Sequence, residues 1–205
     1  VDDAAVDLDI HPSVVFEGWP SIGFRPGSTT VVSIGEGTRV GRQARLNLRG
    51  GSLHVGRHAD LRQGVILNLD GDLVVGDRVV LSVGLYVHCA ERITIGADTI
   101  IGEYSSIVDS MHLRTPVGVP VHHAVGSAPV TIGSNVWVGT KAVIASGVTV
   151  GDQSFVAGNS VVTKDVEPWS LVGGIPARQL KQLGVDASLE PGQDPRFDDD
   201  ITNRC

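Results

Sequence analysis

The side chains able to move protons near neutral pH are unevenly spread along this chain. Of its seven histidines, at positions 11, 54, 58, 88, 112, 122 and 123, three fall within DSMHLRTPVGVPVHHAVGSAP, residues 109–129. Imidazole titrates near neutrality, so a positioned histidine can take a proton from a hydroxyl group. Asp109 precedes His112 by three residues and offers a carboxylate to orient that ring or an acceptor, or simply a solvated charge. His122 and His123 read as acceptor contacts or as an exposed pair. A second group collects further on: Thr163 and Lys164 in VVTKD, then Arg178 and Lys181 in PARQLKQL. Clustered cations suit a ligand with several phosphate charges. Cys89 and Cys205 give no disulfide framework and read as free thiols.

Composition bounds what can position these groups. The chain has 205 residues, is 41% hydrophobic and only 4% aromatic, so its core must be aliphatic. A net charge of −7 argues against a general nucleic-acid binder, which needs a concentrated basic surface. No apolar run reaches membrane-spanning length and no charged-then-apolar leader is present, which predicts a cytoplasmic protein.

A repeat of six decides the architecture. Aliphatic residues recur at Ile34, Val40 and Leu46; Val55, Leu61 and Leu67; Val75, Leu81 and Val87; Ile95, Ile101 and Ile107; then without a slip from Ile132 through Val138, Ile144, Val150 and Val156 to Val162. Four residues beyond the first two anchors of each trio, and beyond every anchor of the last run, stands a small or β-branched side chain, such as Thr38, Thr99, Ser105, Ser154 or Ser160, with Leu85 the one departure. Glycine often follows the anchor, as at Gly35, Gly102 and Gly139, where a sharp corner predicts an unusual φ. Six is not a helical period. It predicts an all-β solenoid of three short strands per triangular coil, with the anchors stacked inside. Between Ile95 and Ile132 the interval is 37 residues, so residues 109–129 must leave the prism as a loop. Trp137, between inward Val136 and Val138, must point outward. Residues 1–30 lack a clean register and are expected to cap the open end. The prism occupies 31–183, with a short helix from about Pro176, where proline suits the first helical position. The acidic remainder, 184–205, reads as disordered.

These features resemble the hexapeptide-repeat acyltransferases, specifically the galactoside and maltose O-acetyltransferase type. The match runs over roughly residues 30–183 and is most specific in VTIGSNVWVGTKAVIASGVTVGDQSFVAGNSVVTKDVEPWSLVGGIPARQLKQL. The resemblance implies a left-handed parallel β-helix, acetyl-CoA or another acyl-CoA as co-substrate, no metal, and a homotrimer with active sites at subunit interfaces. It makes His112 the general base of direct O-acyl transfer and Asp109 the acid of a D-x-x-H loop. It implies that Trp137, Gly139, Thr140, Gly158 and Ser160 line the acyl-CoA arm, with the Thr140 amide near the thioester oxygen. Trp137 alternatively reads as an intersubunit contact. Thr163, Lys164, Arg178 and Lys181 would meet the adenine and phosphates; Lys181 stands where relatives carry arginine. Ahead of the loop the chain departs from the family: Ser82 replaces an asparagine and Cys89-Ala90 an acidic pair, so the acceptor pocket differs. Ser82, Tyr86 and His88 are its candidates.

Three other functions compete. A zinc enzyme on this fold, similar to the γ-type carbonic anhydrases, would need an H-x-x-x-x-H pair, whereas His54 and His58 are separated by three residues. A non-catalytic scaffold would not need His112 or the late cations. N-acyl transfer to an amino-sugar shares the same base requirement.

Overall fold

The computed structural model describes residues 5–184; Cys205 and the acidic stretch from 185 onward lie outside them. Short strands alternate with tight corners, and successive coils pair in parallel, giving three sheets of seven, nine and seven strands and a separate two-stranded excursion. The first face runs from Ala5–Ile10 to Thr149–Val150, the second from Val15–Phe16 to Ser170–Gly174, the third from Ser21–Phe24 to Val161–Val162. This is the parallel β-helix that the repeat predicts.

Every anchor named above is at most 4% exposed, and the small or β-branched set that follows the first two anchors of each trio and the last run is buried too, Leu85 included. The small polar residues of this second set clamp one coil to the next. Thr99 Oγ1 donates to the Gly133 carbonyl at 2.8 Å and accepts the Val136 N–H at 3.1 Å, while Ser105 Oγ bridges Gly139 and Ala142 in the same way. Each hydroxyl thereby satisfies two buried backbone groups that the corner leaves unpaired.

Three expectations change. The glycines after the anchors do not adopt positive φ; those angles fall three residues beyond the anchor, mostly on polar residues such as Gln43, Asp98 and Lys141. The post-anchor glycines are required by close approach of the next coil instead: a Cβ on Gly102 would lie 2.6 Å from the Thr140 nitrogen, and one on Gly35 2.7 Å from the Gly56 carbonyl carbon. Residues 5–24 do not merely cover the prism's end but form its first coil, with Ala5–Ile10 in parallel register with Thr29–Ile34. Ile10, Phe16 and Ile22 keep the six-residue step, and the ring fits at Phe16 because the prism is open there; Phe16 is 41% exposed. Finally, the expected helix from Pro176 is a strand. Ala177–Gln182 runs antiparallel to Ser170–Gly174, pairing with the last exposed edge of the second face. So short a helix gains little alone, whereas an open sheet edge offers a row of unpaired backbone groups.

Candidate active site

The excursion from the third face is a hairpin. Ser110–His112 pairs antiparallel with Val125–Ser127, His112 opposite Val125, and a single 3-10 turn, Val121–His123, lies near the tip. His112 is exposed on this arm. His122 and His123 pack edge to face with ring centroids 4.4 Å apart.

The root of the hairpin is Asp109, which is fully buried. Its Oδ1 accepts the Ala90 N–H at 2.7 Å, and Oδ2 accepts those of Glu91 and Arg92 at 2.8 and 2.9 Å. Its carbonyl accepts the Ala128 N–H at 2.8 Å and the Ser146 hydroxyl at 2.7 Å. Ser127 Oγ donates to Glu91 Oε2 at 2.8 Å. Both arms are therefore tied to the turn at 90–92 and to the coil above. The expected contact of Asp109 with the imidazole is absent among the described residues: its carboxylate lies in a nest of backbone amides and acts on His112 by fixing the chain three residues earlier. Cys89 lies beside this root. Burial, and then the Asp109 charge, push its thiol up to about 12.

Trp137 points outward as expected, 42% exposed, and packs edge to face against Phe155 at 5.7 Å, a partner on the neighbouring strand. Phe155 occupies the same repeat position one coil later, eighteen residues on, a signal the sequence carried. Gly139 and Thr140 form the following corner, stacked beneath Gly158, whose Cβ would lie 3.2 Å from the Thr140 carbonyl oxygen. The Thr140 N–H donates to no group among the described residues. Ser160 is different: it is fully buried and its Oγ accepts the Gly174 N–H at 3.1 Å, so its hydroxyl is engaged in the core.

Lys164 and Arg178 come together in a depression of about 180 Å³, where Asp165 and Glu167 also stand. Thr163 is exposed at the head of that corner. Lys181 lies opposite Leu171 on the terminal hairpin and outside this depression. Ser82 is buried at a corner, whereas Tyr86 and His88 face outward, half-buried, on the third face. Two residues on that face escaped notice in the sequence. Asn47 Nδ2 donates to Asn68 Oδ1 at 2.6 Å, and Asn68 Nδ2 to the Tyr86 hydroxyl at 3.1 Å. Both asparagines follow an anchor directly, as His88 does, which is how their shared row could have been found. His54 and His58 join no group of three or more candidate metal ligands among the described residues.

A model of the bacterial transferase hexapeptide, six repeats, matches residues 129–164. The chain is 31% identical over 153 residues to the putative lipopolysaccharide biosynthesis O-acetyl transferase WbbJ of Escherichia coli, covering 68% of this chain and 76% of that one. It belongs to the hexapeptide-repeat acetyltransferase family. It is also 33% identical over 128 residues to the galactoside O-acetyltransferase of Escherichia coli, covering 53% of this chain but only 63% of the relative. This family member thus spans less than two thirds of that enzyme. The crystal structure of the polySia specific acetyltransferase NeuO shares the fold with a TM-score of 0.60 at 20% identity, covering 99% of each chain. That fold is the left-handed parallel β-helix.

Proposed function

We propose that this chain is an acyl-CoA-dependent O-acyltransferase, with acetyl-CoA as the donor, acting by direct transfer on a hydroxyl of a sugar, glycoside or small metabolite. The observation that carries this reading is His112 exposed on a hairpin whose root is clamped by buried Asp109, in a member of an acetyltransferase family. In this reading His112 removes the acceptor's hydroxyl proton as the oxygen attacks the thioester carbonyl carbon. The free Thr140 N–H meets the charge that develops on the carbonyl oxygen. As the C–S bond breaks, the imidazolium returns its proton to the departing thiolate, so no covalent enzyme intermediate forms. Trp137 and the Gly139–Thr140 and Gly158 corners lie along the donor's arm, with Thr163, Lys164, Arg178 and Lys181 toward its phosphates. Ser160 contributes through its backbone alone. Tyr86 and His88 meet the acceptor, and Ser82 shapes the corner beneath them. The assembly is a homotrimer with its sites at subunit interfaces.

The test is free-thiol release from acetyl-CoA with a panel of sugars, glycosides, small alcohols and amino-sugars. Release that depends on a hydroxyl acceptor supports the reading. Release confined to amino-sugars would replace it with N-transfer, and an absence of coenzyme binding would reduce the chain to a scaffold.

A further inference from the structure

The outward side of the third face holds a row of which the catalytic reading uses only Tyr86 and His88. Gly23, Asn47, Asn68 and His88 are successive register partners, and Val108, directly before Asp109, continues the row. The two asparagines and Tyr86 form a hydrogen-bonded ladder that leaves the Tyr86 O–H free to donate outward. Strand spacing puts Asn47 about 10 Å from His88 and about 15 Å from Val108.

At its far end the row opens into a depression of about 430 Å³ lined by Gly23, Phe24, Arg25, Asn47 and Arg49. The absence of a side chain at position 23 keeps the notch open, since a Cβ there would lie 3.2 Å from Asn47 Oδ1. Phe24, 41% exposed, adds apolar surface to the lining. Arg25 and Arg49 share one carboxylate: Asp70 is 2.7 Å from Arg25 Nη2 and 3.7 Å from Arg49 Nη1. Arg45 projects from the same strand as Asn47. Two guanidinium groups thus share one aspartate here, a locally positive patch on a chain of net charge −7. Guanidinium groups match carboxylates in a two-pronged geometry, and apolar surface beside them suits the apolar side of a sugar.

We propose that this depression is a subsite for a carboxylate-bearing sugar unit of an oligosaccharide acceptor, whose neighbouring units lie along the Asn47, Asn68 and His88 row toward His112. The proposal rests on the O-acyltransferase reading and names its substrate class as an anionic saccharide several units long. A single small alcohol would not reach from the hairpin root to the arginines.

Transfer kinetics with a galacturonic acid trisaccharide and the corresponding neutral galactose trisaccharide test it, using wild type, Arg49→Gln and Arg25→Gln. Both arginines are exposed, so neither change threatens folding. The wild type is expected to show a lower KM for the charged probe; Arg49→Gln raises that KM about tenfold, leaving kcat and the neutral probe's KM unchanged. The gap narrows as ionic strength rises. Equal KM values in the wild type, or equal weakening toward both probes, would overturn the subsite. Calorimetric titration of the same probes into the full chain separates the two readings. Charged-probe binding lost in Arg49→Gln supports the subsite even without turnover, when only the transfer reading fails; no charged-probe binding by the wild type overturns the subsite.

Discussion

The Asp109 carboxylate joins prism and hairpin at one point, with two oxygens accepting three backbone N–H groups. Asp109→Asn keeps the shape but turns one acceptor into a donor facing amides. It should cost about 2–3 kcal/mol in urea unfolding and lower kcat with the affinity for acetyl-CoA retained. Lost activity at unchanged stability would instead give the carboxylate a direct part in the chemistry. Beside it, Cys89 has its thiol raised from 9.0 to about 12, first by burial and then by the Asp109 charge. Its folded pKa lies above its unfolded one, so its contribution is complete below pH 9 and is lost as pH rises toward 12. The melting temperature of the wild type should therefore fall more steeply across that alkaline window than that of Cys89→Ala. In the folded protein Cys89 should also resist thiol reagents at neutral pH.

Among the elements, the corners carry the tightest constraints. A Cβ on Gly96 would lie 2.6 Å from the Gly133 carbonyl carbon, and one on Gly102 the same distance from the Thr140 nitrogen. Gly96→Ala and Gly102→Ala should each destabilise by about 1–3 kcal/mol, read as a lowered melting temperature. Only Gly102→Ala should also reduce kcat at a temperature where both variants are folded, because only it displaces the amide proposed to meet the thioester oxygen. The repeat made the coils, their inward residues and the departure of 109–129 legible in the sequence, because a period of six with aliphatic anchors has one packing solution. The glycines were visible but their reason was not: coil-to-coil approach is a contact between residues some twenty to forty positions apart. The first coil was hidden by Phe16 in an anchor slot. The terminal strand was hidden because ARQLKQL suits a helix as well as a strand, and only the open edge of Ser170–Gly174 decides between them. The place of His112 on the excursion and the outward direction of Trp137 were legible from their offsets to anchors. The nest around Asp109 was not, since its donors lie on a turn 17–19 residues earlier.

Across the whole molecule, a β-helix is a rigid rod on which distant chain segments hold fixed spacing, so a donor site and an acceptor row can be built from different coils. The proposed homotrimer would complete this arrangement by setting one subunit's hairpin against its neighbour's corners. Light scattering should give three times the 21.5 kDa chain mass; a monomer would leave each site with half its proposed walls. If His112 is the base of acyl transfer, the comparison of wild type with His112→Ala for acceptor-dependent thiol release, with acetyl-CoA binding measured alongside, reads it out. In that variant kcat should fall about 10²–10⁴-fold with the donor's Kd unchanged. Turnover by His112→Ala within a few-fold of wild type would contradict it.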